Sequence, residues 1–277
     1  MQAPTLATSA APNSHAPQHA APHAPAPSGW PILFASGFGA LGTTLALYAF
    51  GVPYMKPLAA LSFAWALFCA MGWASSIASD RRAPGADLRQ STADLTLGFY
   101  CFLCSEALVF ASFFGYLFYR WFNSTSWPPA GVPAFATRMP AIGTLILVAS
   151  SFTFNLGLHA FKRGKTSHAK NWILLTIAMG IAFLGVQGFE WGILHAYEKF
   201  TPQGNAFASL YYTMTGFHGL HVIVGLIMLS LVYWRLEKGE YNEKFHFSFK
   251  AAEYYWHFVD IVWVFLFFSI YLVVFAR

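Results

Sequence analysis

Seven apolar segments, each long enough to cross a lipid bilayer as a helix, dominate this chain of 277 residues. A spanning helix needs about 20 mostly apolar residues. The segments are continuous rather than alternating, and a helix satisfies its own backbone hydrogen bonds in the bilayer, so we expect helices rather than strands. The sequence therefore predicts an all-α, polytopic membrane protein with transmembrane helices near residues 32–54, 57–79, 94–121, 139–161, 171–195, 206–234 and 251–276.

The composition excludes the usual soluble classes of protein. Hydrophobic residues make up 57% of the chain and charged residues only 10%, against roughly 45–50% and about 25% in soluble proteins. So few charges neither cover a soluble surface nor form a nucleic-acid-binding patch. Cys69, Cys101 and Cys104 all lie inside apolar segments, which argues against a disulfide framework. We interpret Cys101 and Cys104 as small packing residues, because a redox Cys-x-x-Cys pair lies at an exposed helix N-terminus.

Residues 1–29 form a tail that is rich in Ala, Pro and His and carries no charged side chain. Such a stretch has little to bury, so we expect it to be disordered. It lacks the basic start of a secretory signal and the arginines of a mitochondrial transit peptide. His15, His19 and His23 recur every four residues. A metal-binding tail is one interpretation and a solvated tail is the other.

The Lys and Arg residues predict the orientation in the membrane. Five of the 16 lie in the odd-numbered connections or at the C-terminus: Lys56, Arg120, Arg138, Lys199 and Arg277. The other 11 lie in the even-numbered connections: Arg81, Arg82, Arg89, Lys162, Arg163, Lys165, Lys170, Arg235, Lys238, Lys244 and Lys250. Basic residues accumulate on the cytoplasmic side. We therefore expect a cytoplasmic N-terminus and a periplasmic C-terminus.

The polar stretch at residues 80–93 separates the first two helices from the other five. This spacing predicts a 2 + 5 arrangement within one membrane domain of residues 30–277. No clear internal repeat is visible, so the sequence does not support a transporter built from inverted repeats.

Glu106 is the most informative polar residue, because it lies near the middle of the third predicted helix. An ionised carboxylate at that depth costs roughly 2.5–3.5 kcal/mol on insertion scales. Glu106 must therefore be protonated, paired or next to water. It either handles protons or is a neutral, hydrogen-bonded acid that holds helices together, with His221 as a candidate partner.

Three further pairs of polar residues lie three positions apart within predicted helices: His218 and His221, His257 and Asp260, and Gln187 and Glu190. Residues at this spacing share one side of a helix. Two histidines could ligate haem or copper, but no other cluster offers the further ligands that a closed metal site needs. Gly216 and Gly219 favour close helix packing instead. We therefore expect hydrogen bonds between histidines and carboxylates of different helices, and no catalytic residue, cofactor site or metal site in this chain.

Several specific motifs lie between residue 94 and the C-terminus. The two longest are Thr-Gly-Phe-His-Gly-Leu-His-Val-Ile-Val-Gly at 215–225 and Tyr-Trp-His-Phe-Val-Asp-Ile-Val-Trp-Val-Phe at 255–265. The shorter ones are Ser105-Glu106 with Phe110, Phe113 and Phe114, then Trp127-Pro128-Pro129, His159, and Gln187-x-x-Glu190. These segments resemble those of the cytochrome c oxidase subunit III family. Helices one and two match the family by number and position only. We expect His159, like the three polar pairs, to be buried.

The resemblance implies seven helices that are split two and five by a V-shaped cleft holding phospholipids. It implies a subunit that binds no haem or copper itself and packs beside the catalytic subunit I, with subunit II in the same complex. Haem and copper then belong to the partner subunits. The subunit's implied role is to stabilise subunit I and to support proton uptake, proton pumping and sustained turnover. Our candidates for binding lipid headgroups are basic residues on the predicted cytoplasmic side: Arg81, Arg82, Arg235 and Lys250.

The chain also departs from the family pattern. The end of helix two reads Trp73-Ala-Ser-Ser-Ile-Ala-Ser79, without the arginine and two acids that are usual there. These departures indicate a divergent bacterial member in the cytoplasmic membrane. Subunit III of a quinol oxidase is a close alternative, but it usually has five helices, as does a related subunit of nitric oxide reductases. A stand-alone proton or solute transporter, with Glu106, Glu190 and Asp260 as its relay, is the alternative from a different class.

Overall fold

The computed structural model of the chain describes residues 29–49, 52–82, 88–133, 137–239, 241 and 247–273. These residues form helices and connecting turns, with no strand among them. The helices are α1 (Trp30–Ala49), α2 (Met55–Arg82), α3 (Leu88–Asn123), α4 (Arg138–Lys162), α5 (Thr166–Ala196), α6 (Ala206–Glu237) and α7 (Phe247–Phe267), and a π-helix (Phe268–Val273) follows α7 directly. The predicted all-α fold is confirmed. The prediction for the N-terminal tail, with its three histidines, lies outside the described residues.

Each predicted segment is a helix, and the differences lie at the ends. Helix α3 begins at Leu88 and α5 at Thr166, several residues before the predicted starts. Polar residues continue these helices beyond the apolar segments, because a helix can extend past the hydrocarbon region. Among the described residues, six helices are long and apolar enough to span a membrane, whereas the apolar part of α1, Trp30–Leu45, is shorter.

The chain forms two compact units, residues 1–91 and 92–277. The first contains α1 and α2, and the second contains nearly all of α3 and the helices after it, which agrees with the predicted grouping of two and five helices. Within the first unit a glycine makes room for an aromatic ring. A Cβ atom at Gly72 would lie 2.4 Å from the Trp30 ring.

The second unit, called here the five-helix unit, is built around the fully buried indole of Trp256 on α7. Its ring lies against the backbones of α5 and α6, where Cβ atoms at Gly180 and Gly225 would approach it to 2.7 and 2.8 Å. The indole Nε1 donates to Ser150 Oγ of α4 at 2.9 Å. One large side chain and two glycines therefore bring four helices together.

The glycine prediction is correct at one position and wrong at the other. A Cβ atom at Gly216 would lie 3.2 Å from the Trp191 ring of α5, so the two helices are close there. Gly219 has nothing within 4 Å of that position and faces open space. The reason is geometric, because residues three apart on a helix share a side without pointing at the same neighbour.

Helix α3 is attached to α6 and α7 by large rings. Phe110 lies 5.9 Å from Phe217 of α6, and Phe114 lies 4.4 Å from Phe265 of α7 between ring centroids. Edge-to-face contacts of this kind contribute about 0.5–1.5 kcal/mol beyond the area they bury. The same helices also meet through a polar contact.

Candidate functional site

A contact between a carboxyl group and a histidine joins α3 to α6 near the middle of both helices. Glu106 Oε2 lies 3.1 Å from His221 Nε2. The side chains are 22% and 11% exposed, respectively. The contact that the sequence suggested for Glu106 is thus confirmed, while the role of the contact stays a prediction.

The second ring nitrogen of His221 restricts where the protons lie. Nδ1 is 2.7 Å from the carbonyl oxygen of Phe217, which can only accept, so Nδ1 carries a hydrogen. Nε2 then either accepts from a neutral Glu106 or donates to its carboxylate. In both cases the pair holds one shared proton and has no net charge.

Aromatic rings pack around the His221 member of this pair. Phe110 and Phe217 lie 5.1 and 5.2 Å from the imidazole of His221, and Tyr255 stacks on it at 6.3 Å. A net charge in such surroundings is costly. The arrangement can therefore hold one proton and join two helices.

A second polar group joins α4 to α7, again near the middle of both helices. The Ser151 hydroxyl group bonds to Asp260 Oδ2 and lies 2.9 Å from His257 Nδ1. His257 and Asp260, which the sequence paired, thus meet through a serine of another helix. Asp260 is 6% exposed, and its Oδ1 atom is buried without a hydrogen-bond partner in the described part of the chain.

An open groove of about 640 Å³ runs between α4 and α7 at this polar group, and we call it the α4–α7 groove. Its lining includes Ser151 and Asp260 together with the apolar side chains of Phe152, Ile261 and Val264. Phe152 and Ile261 are 67% and 69% exposed, whereas Asp260 is almost completely buried. The polar residues therefore form the floor of the groove and the apolar residues its rim.

A third polar group lies nearer the end of the unit where α5 connects to α6. Gln187 Nε2 donates to Glu190 Oε2 at 3.3 Å, and Tyr271 Oη donates to Glu190 Oε1 at 3.0 Å. Tyr211 Oη lies 3.1 Å from Tyr271 Oη. The pair predicted from the sequence is thus linked to two tyrosines, one on α6 and one on the π-helix. No histidine takes part among the described residues, so the group is separate from the other two.

Two predictions about histidines are wrong. His218 is 1% exposed, but neither ring nitrogen has a hydrogen-bond partner within the described ranges. Its ring packs between Phe183 and Trp263, at 5.7 and 4.9 Å between centroids, because α6 turns it toward aromatic residues of α5 and α7. His159, predicted to be buried, is exposed, and its Nδ1 donates to the carbonyl oxygen of Asn155 on its own helix.

The packing prediction for Cys101 and Cys104 is wrong, because both are exposed on α3. Cys69 is buried, and all three cysteines are free thiols. In the described residues no group of three or more His, Cys, Asp or Glu side chains could hold a metal ion.

The basic residues proposed for lipid headgroups are described only in part. Arg235, near the end of α6, donates from Nη1 to Ser248 Oγ at 3.0 Å, and its guanidinium group lies 5.2 Å above the Tyr241 ring. Lys250 is exposed. Arg81 and Arg82 belong to α2, but their side chains lie outside the described part.

Sequence reasoning missed Ser151, Tyr211 and Tyr271. The available signal for Ser151 was a Ser-Ser pair in the middle of a predicted helix that contains no charged residue. The tyrosines had no comparable signal, since Tyr is common near both ends of membrane helices.

Comparison with known proteins agrees with these observations. A model of the family described as cytochrome c oxidase subunit III matches residues 20–274, so the match includes α1 and α2. A cytochrome c oxidase subunit 3 of Synechocystis sp. is 41% identical over 63% of this chain and 74% of its own length. One of Neurospora crassa is 33% identical over 90% of this chain and 93% of its own, and one of Thermostichus vulcanus is 40% identical over 64% of this chain and 86% of its own. The chain is a multi-pass membrane protein and belongs to the cytochrome c oxidase subunit III family.

Proposed function

We propose that this chain is the non-catalytic subunit III of a proton-pumping cytochrome c oxidase. It stabilises subunit I and supports proton uptake and sustained turnover, while haem and copper are held by the partner subunits I and II. Family membership supports this proposal and favours it over a stand-alone transporter. The observation that supports the proposed role is the contact of Glu106 Oε2 with His221 Nε2 at 3.1 Å, which joins α3 to α6 near the middle of both helices.

The proposed role of this pair is structural. Glu106 anchors α3 to α6, and α3 in turn helps to hold the proton-uptake side of subunit I in place. The alternative role is a relay, in which Glu106 loses and regains its proton during turnover. The two roles differ in whether Glu106 needs to ionise.

Two substitutions of Glu106 separate these roles. In Glu106→Gln the amide group can donate to His221 Nε2 as a neutral acid does, but it cannot ionise. In Glu106→Ala the Nε2 atom loses its partner. A structural role predicts near-normal turnover for the Gln variant and poor assembly or rapid inactivation for the Ala variant. Equal loss of proton uptake in both variants, with intact assembly, would contradict it.

Purification of the tagged chain in mild detergent tests the function itself. We expect haem-bearing partner subunits to accompany it, whereas the isolated chain has no haem spectrum and no stoichiometric metal. A chain that purifies alone would favour the transporter. One haem or copper per isolated chain, lost in His218→Ala or His221→Ala, would contradict the non-catalytic role.

Phospholipid binding is a further part of the proposal, and Arg235 is the leading residue for a headgroup. Its contacts with Ser248 and the Tyr241 ring orient the guanidinium group at the end of α6. An anionic headgroup gains about 1 kcal/mol for each nearby basic residue. We expect Arg235→Ala to lower the amount of anionic phospholipid that copurifies. We expect a smaller decrease in bound phospholipid for Lys250→Ala, since Lys250 is the second candidate. An unchanged amount of bound phospholipid in Arg235→Ala would contradict the assignment of this residue.

The proposed location is a bacterial cytoplasmic membrane, with the N-terminus in the cytoplasm. The unequal distribution of Lys and Arg between the two sets of connections supports this orientation. Reporter fusions after Arg89 and after Lys165 should both show a cytoplasmic signal. A periplasmic signal from either fusion would contradict the proposed topology.

A further inference from the structure

We propose that Tyr271 is a site of reversible one-electron oxidation, with Glu190 as the acceptor of its phenolic proton. This chemistry goes beyond the proposed function and does not depend on it. It belongs to the third polar group, near the end of the unit where α5 connects to α6, which the Glu106–His221 pair does not involve.

The hydrogen bonds of Tyr271 determine where its phenolic hydrogen lies. Tyr271 Oη donates to Glu190 Oε1 at 3.0 Å, and a phenol has one hydrogen to donate. In the 3.1 Å contact between Tyr211 Oη and Tyr271 Oη, Tyr211 is therefore the donor. The phenolic oxygen of Tyr271 thus has a proton acceptor on one side and a hydrogen-bond donor on the other.

Both neighbours of this oxygen are what the oxidation of a tyrosine needs. A phenol that loses an electron becomes a strong acid, so its proton must pass to a base within hydrogen-bond distance. The radical that remains is neutral, and the hydrogen bond from Tyr211 stabilises its oxygen. On reduction the proton returns from Glu190 across the same hydrogen bond.

One electron and one proton move in this step. A strong one-electron oxidant, such as an oxygen-derived radical, takes an electron from Tyr271, and the phenolic proton moves from Oη to Glu190 Oε1. The products are a neutral phenoxyl radical, a neutral carboxylic acid and the reduced oxidant. Since Tyr271 is 2% exposed, a neutral product at this residue avoids the cost of a buried charge.

The step starts from the carboxylate form of Glu190. Burial opposes ionisation, but both carboxyl oxygens accept hydrogen bonds, Oε1 from Tyr271 and Oε2 from Gln187. Helix α5 has 31 residues and ends six residues after Glu190, at Ala196. Its length is about 46 Å at 1.5 Å per residue, against a hydrocarbon thickness of about 30 Å. Glu190 therefore lies nearer the edge of the hydrocarbon region than its centre, and an ionised group costs less there.

The neighbouring tyrosines lack such an acceptor in the hydrogen bonds that they donate. Tyr212 Oη donates to the carbonyl oxygen of Phe200 at 2.7 Å, and Tyr211 donates to the phenol of Tyr271. Neither a backbone carbonyl group nor a phenol is a base that takes up a proton here. Tyr271 donates to a carboxyl group, so the oxidation is assigned to this residue.

A row of aromatic rings leads from Tyr271 toward the outside of the five-helix unit. Its centroids are 6.4 Å apart from Tyr271 to Tyr211, 5.2 Å from Tyr211 to Tyr212 and 5.3 Å from Tyr212 to Trp191. Trp191 and Tyr212 are half-buried, whereas Tyr211 and Tyr271 are buried. An electron from Tyr271 therefore has a path through oxidisable rings to an oxidant at the outer face, while the radical stays inside.

Flash oxidation of the purified chain tests the site. A ruthenium polypyridyl dye, excited in the presence of an irreversible electron acceptor, supplies the one-electron oxidant, and electron paramagnetic resonance detects the radicals. Radicals at exposed tyrosines decay quickly, whereas one at Tyr271 should decay slowly. We expect Tyr271→Phe to lower the slowly decaying tyrosyl signal at least about tenfold. Tyr197→Phe is the matched control, because Tyr197 lies at the same end and is 81% exposed. No slow signal in the wild type, or an equal one in Tyr271→Phe, would overturn the proposal.

Glu190→Gln tests the proton acceptor. Its amide oxygen still accepts the hydrogen bond from Tyr271 but cannot take up the proton. We expect the slowly decaying signal to fall at least about tenfold, as in Tyr271→Phe, with thermal unfolding of both variants as the check on folding. A full signal in a folded Glu190→Gln variant would refute the role of Glu190.

Electron–nuclear double resonance on the wild-type radical tests the same step without a variant of Glu190. We expect two hydrogens bonded to the radical oxygen, one from Tyr211 and one from the newly protonated Glu190, and the loss of one of them in Tyr211→Phe. A single hydrogen in the wild type would contradict the transfer to Glu190. Because the dye supplies the oxidant, failure of these tests leaves the proposed function in the oxidase unaffected.

Discussion

Helix α3 and the four helices α4–α7 are held in the five-helix unit in different ways. Around Trp256, small residues admit a large one, and the backbones of α5 and α6 lie directly against its ring. In the described contacts, no glycine of α3 lies against a large side chain of another helix. Helix α3 is attached instead by aromatic side chains and by the Glu106–His221 pair. The comparison shows that close packing of a large side chain against glycines holds α4–α7 together, whereas a polar pair and the aromatic rings near it hold α3.

The largest effect should come from closing the space beside Trp256. Gly225→Leu would place its Cβ atom 2.8 Å from the Trp256 ring, and overpacking of this kind costs about 1–3 kcal/mol or more. Gly219→Leu is the matched control on the same helix, because its Cβ position is open. Thermal unfolding of the purified chain in detergent should show a lower midpoint for Gly225→Leu alone. Equal loss in both variants would mean that a general effect of the substitution, rather than shape, is being measured.

A smaller effect should come from separating the polar pair that holds α3. Glu106→Leu and His221→Phe each leave one partner unsatisfied, which costs about 1–3 kcal/mol. The double variant removes both polar groups, so its loss should be smaller than the sum of the single losses. The same unfolding measurement gives the coupling energy. Strictly additive losses would show that the pair contributes no interaction of its own.

The hydrogen bond donated by Trp256 tests how much a polar contact contributes to stability where close packing holds the helices together. Ser150→Ala leaves the indole in place but removes the acceptor of its Nε1 hydrogen. We expect a loss of about 1 kcal/mol. Ser230→Ala is the control, because Ser230 is exposed and bonds only to the carbonyl oxygen of Leu226 on its own helix. A loss larger than that of the Glu106 variants would contradict the distinction between the two regions.

The smallest effect should come from the ion pair at the end of α5 and α6. Lys170 Nζ lies 2.7 Å from Glu237 Oε2, and the two side chains are 25% and 54% exposed. Exposed pairs contribute about 0–1 kcal/mol and weaken with salt. Unfolding of Lys170→Ala at low and high salt should therefore differ little from wild type. A loss as large as that of Gly225→Leu would show that the helix ends, rather than Trp256, hold these helices.

The helices and their grouping were predictable because their signal is local. Length, apolarity and the polar stretch at 80–93 predict the segments and the division into two and five. Helix ends were less predictable, since a helix continues past the membrane without an apolar residue to mark it. The contact of Glu106 with His221 could also be predicted from the sequence, because few polar groups occur at that depth and each needs a partner.

Which polar group meets which, and which glycine is tight, followed only from the tertiary structure. His218 and His221 are three residues apart, yet one packs between rings and the other bonds to Glu106. Gly219 is open, whereas Gly180 and Gly225 lie against Trp256. Spacing along one helix fixes the direction of a side chain but not what the neighbouring helix presents there. The sequence by itself therefore determined the membrane helices and their family, and only the packing of those helices decided the polar contacts and the groove.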